Sequence, residues 1–216
     1  MLSNNIATLV IIAANVLISL KGFNDFSFFE KYKFNIAGIR RGEQLRMFSS
    51  GFLHVDFTHL LFNMLTLYFF ADVVIDNLGT SKFILIYLLS LLAGNLLSFM
   101  MHKEEYHYSA VGASGAVMGI LYTAILLYPN MGLYLFFIPI PIPAWLFGIL
   151  YLGYSVYGMK KQLGNIGHDA HIGGAIAGYL LTIGFVPSLI ETDLWLIVLL
   201  ALPIVVLFVL YKLGKI

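Results

Sequence analysis

The chain contains no cysteine, and it is poor in charged residues. Without cysteine there are no disulfides, no thiol nucleophile and no thiolate metal ligands. Charged residues make up 11% of the 216 residues, against roughly 25% in an average soluble protein. The 12 basic residues nearly balance the 11 acidic ones, so no basic stripe is present to follow the phosphates of a nucleic acid. We therefore expect no nucleic-acid partner.

Apolar residues, by contrast, make up 60% of the chain and give a mean hydropathy of +0.91. A bilayer core of roughly 30 Å requires about 20 apolar residues per helix, and fewer where other helices surround it. The composition therefore predicts an all-α polytopic helical bundle in a membrane, and because no linker divides it we expect a single domain over residues 1–216. The segments that meet or nearly meet the length requirement are Ile6 to Leu20, Phe57 to Ile75, Phe83 to Met101, Ala113 to Tyr128, Ala144 to Tyr157, Ala170 to Val186 and Leu194 to Tyr211.

These seven segments differ in composition, and the connections between them differ in length. The fourth, fifth and sixth segments are short and glycine-rich, which predicts helices enclosed by other helices, whereas the third and seventh are predicted to face lipid. Residues 21–53 are too polar to span a membrane, and their basic and aromatic side chains predict a partly folded loop at the interface. Alternate prolines exclude a helix over residues 137–143, which we interpret as a connector at the membrane boundary.

Ser114 stands near the start of the fourth segment, between Gly112 and Gly115. A glycine at position 112 lets the backbone approach a bound carbonyl, and a serine at a helix N-terminus has free amides where negative charge would develop. Gly115 and Gly119 have the four-residue spacing of a close helix contact. A serine among glycines is also common in ordinary helix packing, so this motif alone leaves both interpretations open.

His171 lies at the start of the sixth segment, and Gly174 and Gly178 share its helix face. This glycine-lined face would bring the imidazole within reach of a hydroxyl on another helix. Ionisable side chains are costly inside a membrane, so the histidine indicates function, and a serine with a histidine base suggests acyl transfer. Asp169 is two positions away and points to roughly the opposite side of the helix. We therefore predict a dyad of Ser114 and His171 rather than a triad.

His59 and Asn63 lie four residues apart in the second segment and so share a helix face. Both donate hydrogen bonds without needing a charge, as an oxyanion hole requires, although an interhelical hydrogen bond would use the same groups. His54 precedes His59 by five residues, outside this helical spacing, and we expect it to brace the loop.

A metal site is a further possibility that the histidines raise. The candidate ligands would be His54, His59, His168 and His171. However, the chain has no H-E-x-x-H motif and no carboxylate at ligand spacing in the second segment, so we expect neither a metal nor another cofactor. His102 and His107 lie in a polar stretch and are interpreted as solvated.

Taken in order along the chain, these motifs resemble those of the rhomboid family of intramembrane serine proteases. The matching elements are HVDFTHLLFN from His54 to Asn63, GASG from Gly112 to Gly115, AHIGG from Ala170 to Gly174 with Gly178 after it, and Arg46 as the family's loop arginine. Two positions depart from the family's pattern. Met118 stands where an aromatic residue often stacks on the histidine, and Leu45 stands where a tryptophan commonly precedes the arginine.

The resemblance implies Ser114 as the nucleophile and His171 as the general base. It also implies a core of six helices over about residues 1–187, with Leu194 to Tyr211 as an added seventh. The implied oxyanion donors are His59, Asn63 and the backbone amide of Ser114. The implied supporting residues are Gly112, Gly115, Gly174, Gly178 and His54.

The same resemblance implies that the partners are the lipid bilayer and single-span membrane proteins, which serve as substrates. Because a helical peptide bond is shielded by its own hydrogen bonds, we expect helices that unwind readily, with Gly, Pro or Ser near the membrane boundary and a small residue before the scissile bond. The aromatic residues of the fifth segment would form the lateral gate. They are Trp145, Phe147, Tyr151 and Tyr154.

Membrane orientation is the point on which the resemblance and the charge distribution disagree. The resemblance implies a bacterial plasma membrane protein with a cytoplasmic amino terminus and a site that opens to the extracytoplasmic side. Every Lys and Arg except Lys82 would then lie outside, contrary to the usual excess of positive charge on the inside. We follow the resemblance, and the charge count favours the reverse.

Two other functional classes are open to a chain of this composition. The first is a catalytically inactive rhomboid-like protein that binds membrane clients, although the presence of both Ser114 and His171 argues against it. The second is a channel or transporter, for which the chain lacks paired intramembrane charges and repeated halves. Cleavage of a reporter by the purified protein would separate these classes.

Overall fold

Helices form most of the chain in the computed structural model, which describes residues 5–134, 140–161 and 167–215. In chain order they are α1 (Ile6–Asn24), α2 (Phe26–Tyr32), α3 (Ile36–Arg40), α4 (Arg46–Ser49), α5 (Phe57–Leu78), α6 (Thr80–His102), α7 (Ser114–Leu127), α8 (Ala144–Lys161), α9 (His168–Phe185), α10 (Leu189–Thr192) and α11 (Leu194–Lys212). Each predicted segment corresponds to one long helix.

Four of the described helices, α1, α5, α6 and α11, are long and apolar enough to cross a membrane, and α7 is a shorter apolar helix. A spanning helix satisfies its backbone hydrogen bonds internally, which a bilayer core requires. The predicted all-α polytopic membrane fold is confirmed.

Strand structure is confined to two short antiparallel ladders in the described residues. In the first, β1 (Phe34–Asn35) pairs with β2 (Ser109–Ala110). In the second, β3 (Gly132–Leu133) pairs with β4 (Ile142–Pro143). The extended β4 agrees with the predicted non-helical connector, of which residues 137–139 lie outside the described part of the chain.

The centre of the bundle is formed by α6, α7 and α9, whose backbones approach one another through glycines. A Cβ added at Gly174 of α9 would collide with the carbonyl of Gly115 on α7, and one at Gly178 would collide with the carbonyl of Gly119. Farther along the same two helices, the Thr182 hydroxyl donates to the Thr123 hydroxyl over 2.8 Å. The small-residue faces predicted on the fourth and sixth segments therefore meet.

Helix α6 follows the prediction that the third segment faces lipid on one face only. Its face containing Ser90, Gly94 and Ser98 is buried against the central helices. A Cβ at Gly94 would lie 2.6 Å from the carbonyl oxygen of Ala170 on α9. The opposite face exposes its leucines, Leu96 among them, so the prediction holds for that face. It missed the buried face, where small residues at four-residue spacing allow close packing.

Helix α8 is less enclosed than its glycine content predicted. Leu150, Gly153, Tyr154 and Tyr157 are all exposed on its outer face. Its inner face packs against α7, α9 and α11, and Trp145 meets Trp195 of α11 edge to face at a ring separation of 6.2 Å. By contrast, α7 is almost wholly buried, as predicted, and α11 exposes most of its apolar surface.

The loop over residues 21–53 folds into α2, α3, α4 and a 3-10 turn at Ser50–Phe52. Arg46 holds it together, because its guanidinium donates to the backbone carbonyls of Glu30 and Lys33 over 2.8 and 2.9 Å. It also pairs with Glu43. This loop is anchored on the bundle through the β1–β2 ladder, so it forms a cap at the end of the bundle where α7 and α9 begin.

Candidate active site

Ser114 is the first residue of α7, and the turn before it requires glycine. Gly112 has a φ of 136°, which side chains disfavour. A Cβ at this position would lie 2.9 Å from Nε2 of His59 and 3.6 Å from Oγ of Ser114. The imidazole of His59 and the half-buried hydroxyl of Ser114 therefore both lie close to the face of Gly112 that a side chain would occupy.

The loop before α7 is held by the fully buried imidazole of His54. Its Nε2 accepts a hydrogen bond from the Ala113 amide over 3.4 Å, and its Nδ1 lies 2.9 Å from the Ser19 hydroxyl. Because that hydroxyl donates to the carbonyl of Phe52, it accepts from Nδ1. Burial lowers the pKa of His54 to about 3, so the neutral ring that this network needs is maintained.

His59 lies in the first turn of α5, where its backbone amide donates a hydrogen bond to Oδ1 of Asp56 over 2.7 Å. Its ring meets that of His54 edge to face at 4.9 Å. Asn63 is buried one turn later, and its amide nitrogen donates to the carbonyl of His59 over 3.1 Å. An amide carries two N–H groups and this bond uses one, so the second can serve a ligand.

His171 lies in the first turn of α9 and is buried. The carbonyl oxygen of Ala170, the residue before it, lies 3.2 Å from the Cβ position of Gly115, the residue after Ser114. Ser114 and His171 thus flank one backbone contact between α7 and α9. A contact of this kind has no side chain in it to adjust, so it fixes where the two residues sit relative to each other.

A tyrosine from α8 is the hydrogen-bonding partner of the His171 ring. The hydroxyl of Tyr151 lies 2.9 Å from Nδ1 of His171. The ring of His168 meets that of His171 edge to face at 6.3 Å. Met118 is buried in the apolar cluster against which Tyr151 packs, and its thioether cannot donate a hydrogen bond.

Asp169 is directed away from His171 and pairs with His102 at the end of α6, with 3.4 Å between Oδ2 and Nε2. His102 also pairs with Glu105 at 3.0 Å and stacks on Tyr108, with a ring separation of 3.7 Å. The prediction of a solvated His102 is wrong, because the buried Asp169 carboxylate draws its imidazole inward. His107 is exposed.

Among the described residues, no three His, Asp or Glu side chains are arranged to hold a metal ion. The four histidines considered as a cluster are divided between two kinds of contact. His54 and His59 pair with each other beside Gly112, whereas His168 and His171 face the tyrosines of α8.

Most of the chain matches a known protein family. A sequence model of the Rhomboid domain matches residues 41–188, well over half of the chain. This chain belongs to the rhomboid family. It is a multi-pass integral membrane protein of that family, and the matched region contains Ser114, His171, His59 and Asn63.

Several curated rhomboid proteins are similar to the chain. RHOMBOID-like protein 12, mitochondrial, of Arabidopsis thaliana is 30% identical over 77% of this chain and 54% of its own length. Rhomboid protein 1, mitochondrial, of Saccharomyces cerevisiae is 32% identical over 63% of this chain and 40% of its own length. Rhomboid protease GluP of Bacillus subtilis is 32% identical over 65% of this chain and 26% of its own length. This rhomboid thus spans about half or less of these three relatives.

Sequence reasoning missed two features of the site. It grouped Tyr151 with the other aromatic residues of the gate, whereas its hydroxyl contacts His171. It set aside Asp169 without finding its partner, His102. Each contact joins two different helices, so no spacing along the chain predicts it.

Proposed function

We propose that this rhomboid protein is an intramembrane serine endopeptidase that uses Ser114 as nucleophile and His171 as general base. One observation carries the proposal: the glycine contact between α7 and α9, which Ser114 and His171 flank. Holding a nucleophile and its base in a fixed relation is a large part of what an active site contributes to rate. Membership of a family that includes a named protease supports the same reaction.

In the proposed first half-reaction, Oγ of Ser114 attacks the carbonyl carbon of the scissile peptide bond while His171 takes the hydroxyl proton. The tetrahedral intermediate then collapses, the C–N bond breaks, and His171 gives its proton to the leaving amine. This leaves the amino-terminal part of the substrate as an ester on Ser114. Water, deprotonated by His171, attacks that ester and releases a carboxylic acid and the free serine.

The negative oxygen of each tetrahedral intermediate needs hydrogen-bond donors. We propose the amide of Ser114, the ring of His59 and the second N–H of Asn63. The first is supported by the position of Ser114 at the N-terminus of α7, where the backbone amides lack helical partners. The other two are supported by the position of His59 beside Gly112 and by the spare N–H of Asn63.

We propose single-span membrane proteins as substrates, because a soluble peptide would have to enter a site that lies among membrane helices. A substrate helix must unwind before cleavage, which favours segments with Gly, Pro or Ser near the membrane boundary. We further propose that residues 1–216 form one membrane domain and that α8 is the gate through which the substrate enters. The exposed outer face of α8 supports this choice.

The membrane that houses the protein is a separate proposal from the reaction. The relatives include mitochondrial and Bacillus subtilis proteins, so they do not favour a bacterial plasma membrane over a mitochondrial one. We propose that the site opens on the side where the 21–53 loop lies. When the chain is expressed in a bacterial plasma membrane, single cysteines in that loop, in a chain without other cysteines, should react with an impermeant thiol reagent added from outside intact cells. Labelling only after lysis would reverse the orientation.

The reaction is tested with purified protein in liposomes and a panel of fluorescent reporters, each containing one transmembrane helix with Gly or Pro near its boundary. Ser114→Ala and His171→Ala should each abolish cleavage, and the double variant should be hardly worse, because groups that act together are not additive. Turnover by folded Ser114→Ala would refute serine catalysis. No cleavage of any reporter by the wild type would favour the inactive, client-binding alternative.

A further inference from the structure

We propose that Tyr151 is a positioning residue for His171, whose hydroxyl accepts the Nδ1 proton and so leaves Nε2 as the basic nitrogen that faces Ser114. This inference rests on the proposed function of His171 as the general base. The contact that carries it is the 2.9 Å separation between the Tyr151 hydroxyl and Nδ1.

The geometry of the two rings favours a hydrogen bond over stacking. Their centroids are 5.9 Å apart and their planes are inclined by 33°, so the phenol meets the imidazole through its hydroxyl and not through its face. His171 is only 7% exposed, so little water reaches the ring to replace the hydroxyl as a partner. A hydrogen bond in such surroundings strongly influences which ring nitrogen carries the proton.

The choice of nitrogen matters because neutral histidine has two tautomers, and in each only the unprotonated nitrogen is a base. Nδ1 is occupied by Tyr151, so Nε2 remains to take the proton of Ser114. Where the Tyr151 hydroxyl accepts from Nδ1–H, Nε2 has its lone pair free. The same acceptor stays in contact with Nδ1–H after His171 has gained a second proton, so it supports the imidazolium that forms during the reaction.

Helix α8 holds the phenol in place for this role. The ring of Phe147, one turn earlier, stacks on that of Tyr151 at 5.7 Å. The Tyr122 hydroxyl of α7 donates to the carbonyl of Gly148, which fixes this part of α8 against α7. Met118 of α7 has no hydroxyl, and the hydroxyl that contacts His171 comes from α8.

The first measurement does not depend on turnover. Histidine side chains of the full chain are labelled with nitrogen-15, the protein is placed in lipid, and His171→Ala identifies the signals of His171. We expect Nδ1 protonated and Nε2 unprotonated in the wild type, and a mixture of both tautomers in Tyr151→Phe. An unprotonated Nδ1 in the wild type, or the same tautomer in Tyr151→Phe, would overturn the proposal.

Tyr179→Phe is the matched control, because it removes another tyrosine hydrogen bond from the same region. The Tyr179 hydroxyl, on α9, donates to the carbonyl of Ile197 on α11 over 3.0 Å and does not touch His171. This variant should keep the wild-type tautomer. If it shifted the tautomer as much as Tyr151→Phe does, a general loosening of α9 would explain the effect and the proposal would fail.

The second measurement compares kinetics on the transmembrane reporters. Losing one neutral hydrogen bond should lower kcat roughly 3- to 10-fold in Tyr151→Phe and leave KM unchanged. Tyr179→Phe should stay within about 2-fold of the wild type. A lower affinity with unchanged kcat would make Tyr151 a gate residue only and overturn the proposal. If the wild type itself cleaves nothing, the proposed function fails, and the tautomer measurement alone decides the role of Tyr151.

Discussion

Helix α9 packs against α6 and α7 on one side and against α8 on the other, and different atoms meet in the two contacts. Toward α7, the backbone at Gly174 and Gly178 touches the backbone of its neighbour. Toward α8, the rings of His168 and His171 meet those of Tyr154 and Tyr151. A backbone contact has no rotamers to change, whereas rings can move with the helix that carries them.

We infer from this difference that the contact of α9 with α7 and its contact with α8 have different roles. The backbone contact keeps Ser114 and His171 in register, because both residues flank it. The ring contact is made by side chains, and under the proposed function α8 would be the helix that admits substrate. Four substitutions can break or sharpen this comparison, and they are taken from the largest expected effect to the smallest.

The largest effect is expected from Gly174→Ala. Its new methyl group would collide with the backbone of Gly115, which cannot shift as a flexible side chain could. We therefore expect a loss of about 3 kcal/mol of stability. The measurement is unfolding of the purified protein in detergent. Gly184→Ala, on the same helix with no atom within 4 Å of its Cβ position, is the control. Equal unfolding of the two variants would contradict a tight contact between α7 and α9.

The second effect is a pH dependence that originates at His54, on the serine side of the site. Its pKa is lowered from 6.5 to about 3 by burial, so between these values the unfolded chain binds a proton that the folded chain does not. The stabilising contribution is complete above pH 6.5 and is lost as the pH falls, by about 2 kcal/mol at pH 5. His54→Gln should unfold with a correspondingly weaker dependence on pH.

His107→Gln is the control for this experiment, since His107 is exposed in the connection between α6 and β2. It should keep the pH dependence of the wild type. If His54→Gln and the wild type lost the same stability between pH 7.5 and pH 5, the neutral buried ring would not be a source of the acid sensitivity.

The central packing could be predicted from sequence because it depends on local spacing. Gly174 and Gly178 stand three and seven residues after His171, so their shared face could be seen without a structure. The burial of α6 carried a similar signal in Ser90, Gly94 and Ser98, which the surrounding leucines obscured. The long apolar segments likewise predicted each long helix, since length and hydropathy together determine what can span a bilayer.

The contacts on the other side could not be predicted in this way. Tyr151 and His171 belong to different helices, and so do His102 and Asp169. Which side chains meet across two helices depends on the rotation and depth of each helix, and these are fixed by packing of the whole bundle. A single sequence contains no periodic signal for such pairs.

The third prediction concerns the ion pair that joins α6 to the start of α9. Asp169 is nearly fully buried, whereas His102 is 25% exposed, so the pair is partly screened by solvent. Asp169→Asn should therefore cost about 1–2 kcal/mol in the same unfolding assay. Glu104→Gln is the control, since its contact with Arg40 is 3.7 Å long and Glu104 is 74% exposed. Losses of equal size would show that burial gives the Asp169 pair no added strength.

The smallest effect, and one of opposite sign, is expected from Gly153→Ala on the exposed face of α8. Its Cβ would meet no atom within 4 Å, so only the higher helix propensity of alanine remains, and stability should rise by about 0.5–1 kcal/mol. The unfolding assay used for Gly174→Ala measures it directly. A loss as large as that of Gly174→Ala would mean that α8 is held as tightly as α7, and the comparison between the two sides would fail.

The most direct test of the account is covalent labelling of the folded protein with a fluorophosphonate, a reagent that phosphonylates activated serines and requires no knowledge of the substrate. Mass spectrometry should find the label on Ser114 in the wild type and in Gly184→Ala. Labelling should be lost in His171→Ala, because the serine would have no base to take its proton. A folded wild type that resists the reagent, or equal labelling of Ser114 in His171→Ala, would contradict the claim that these two residues act as one unit.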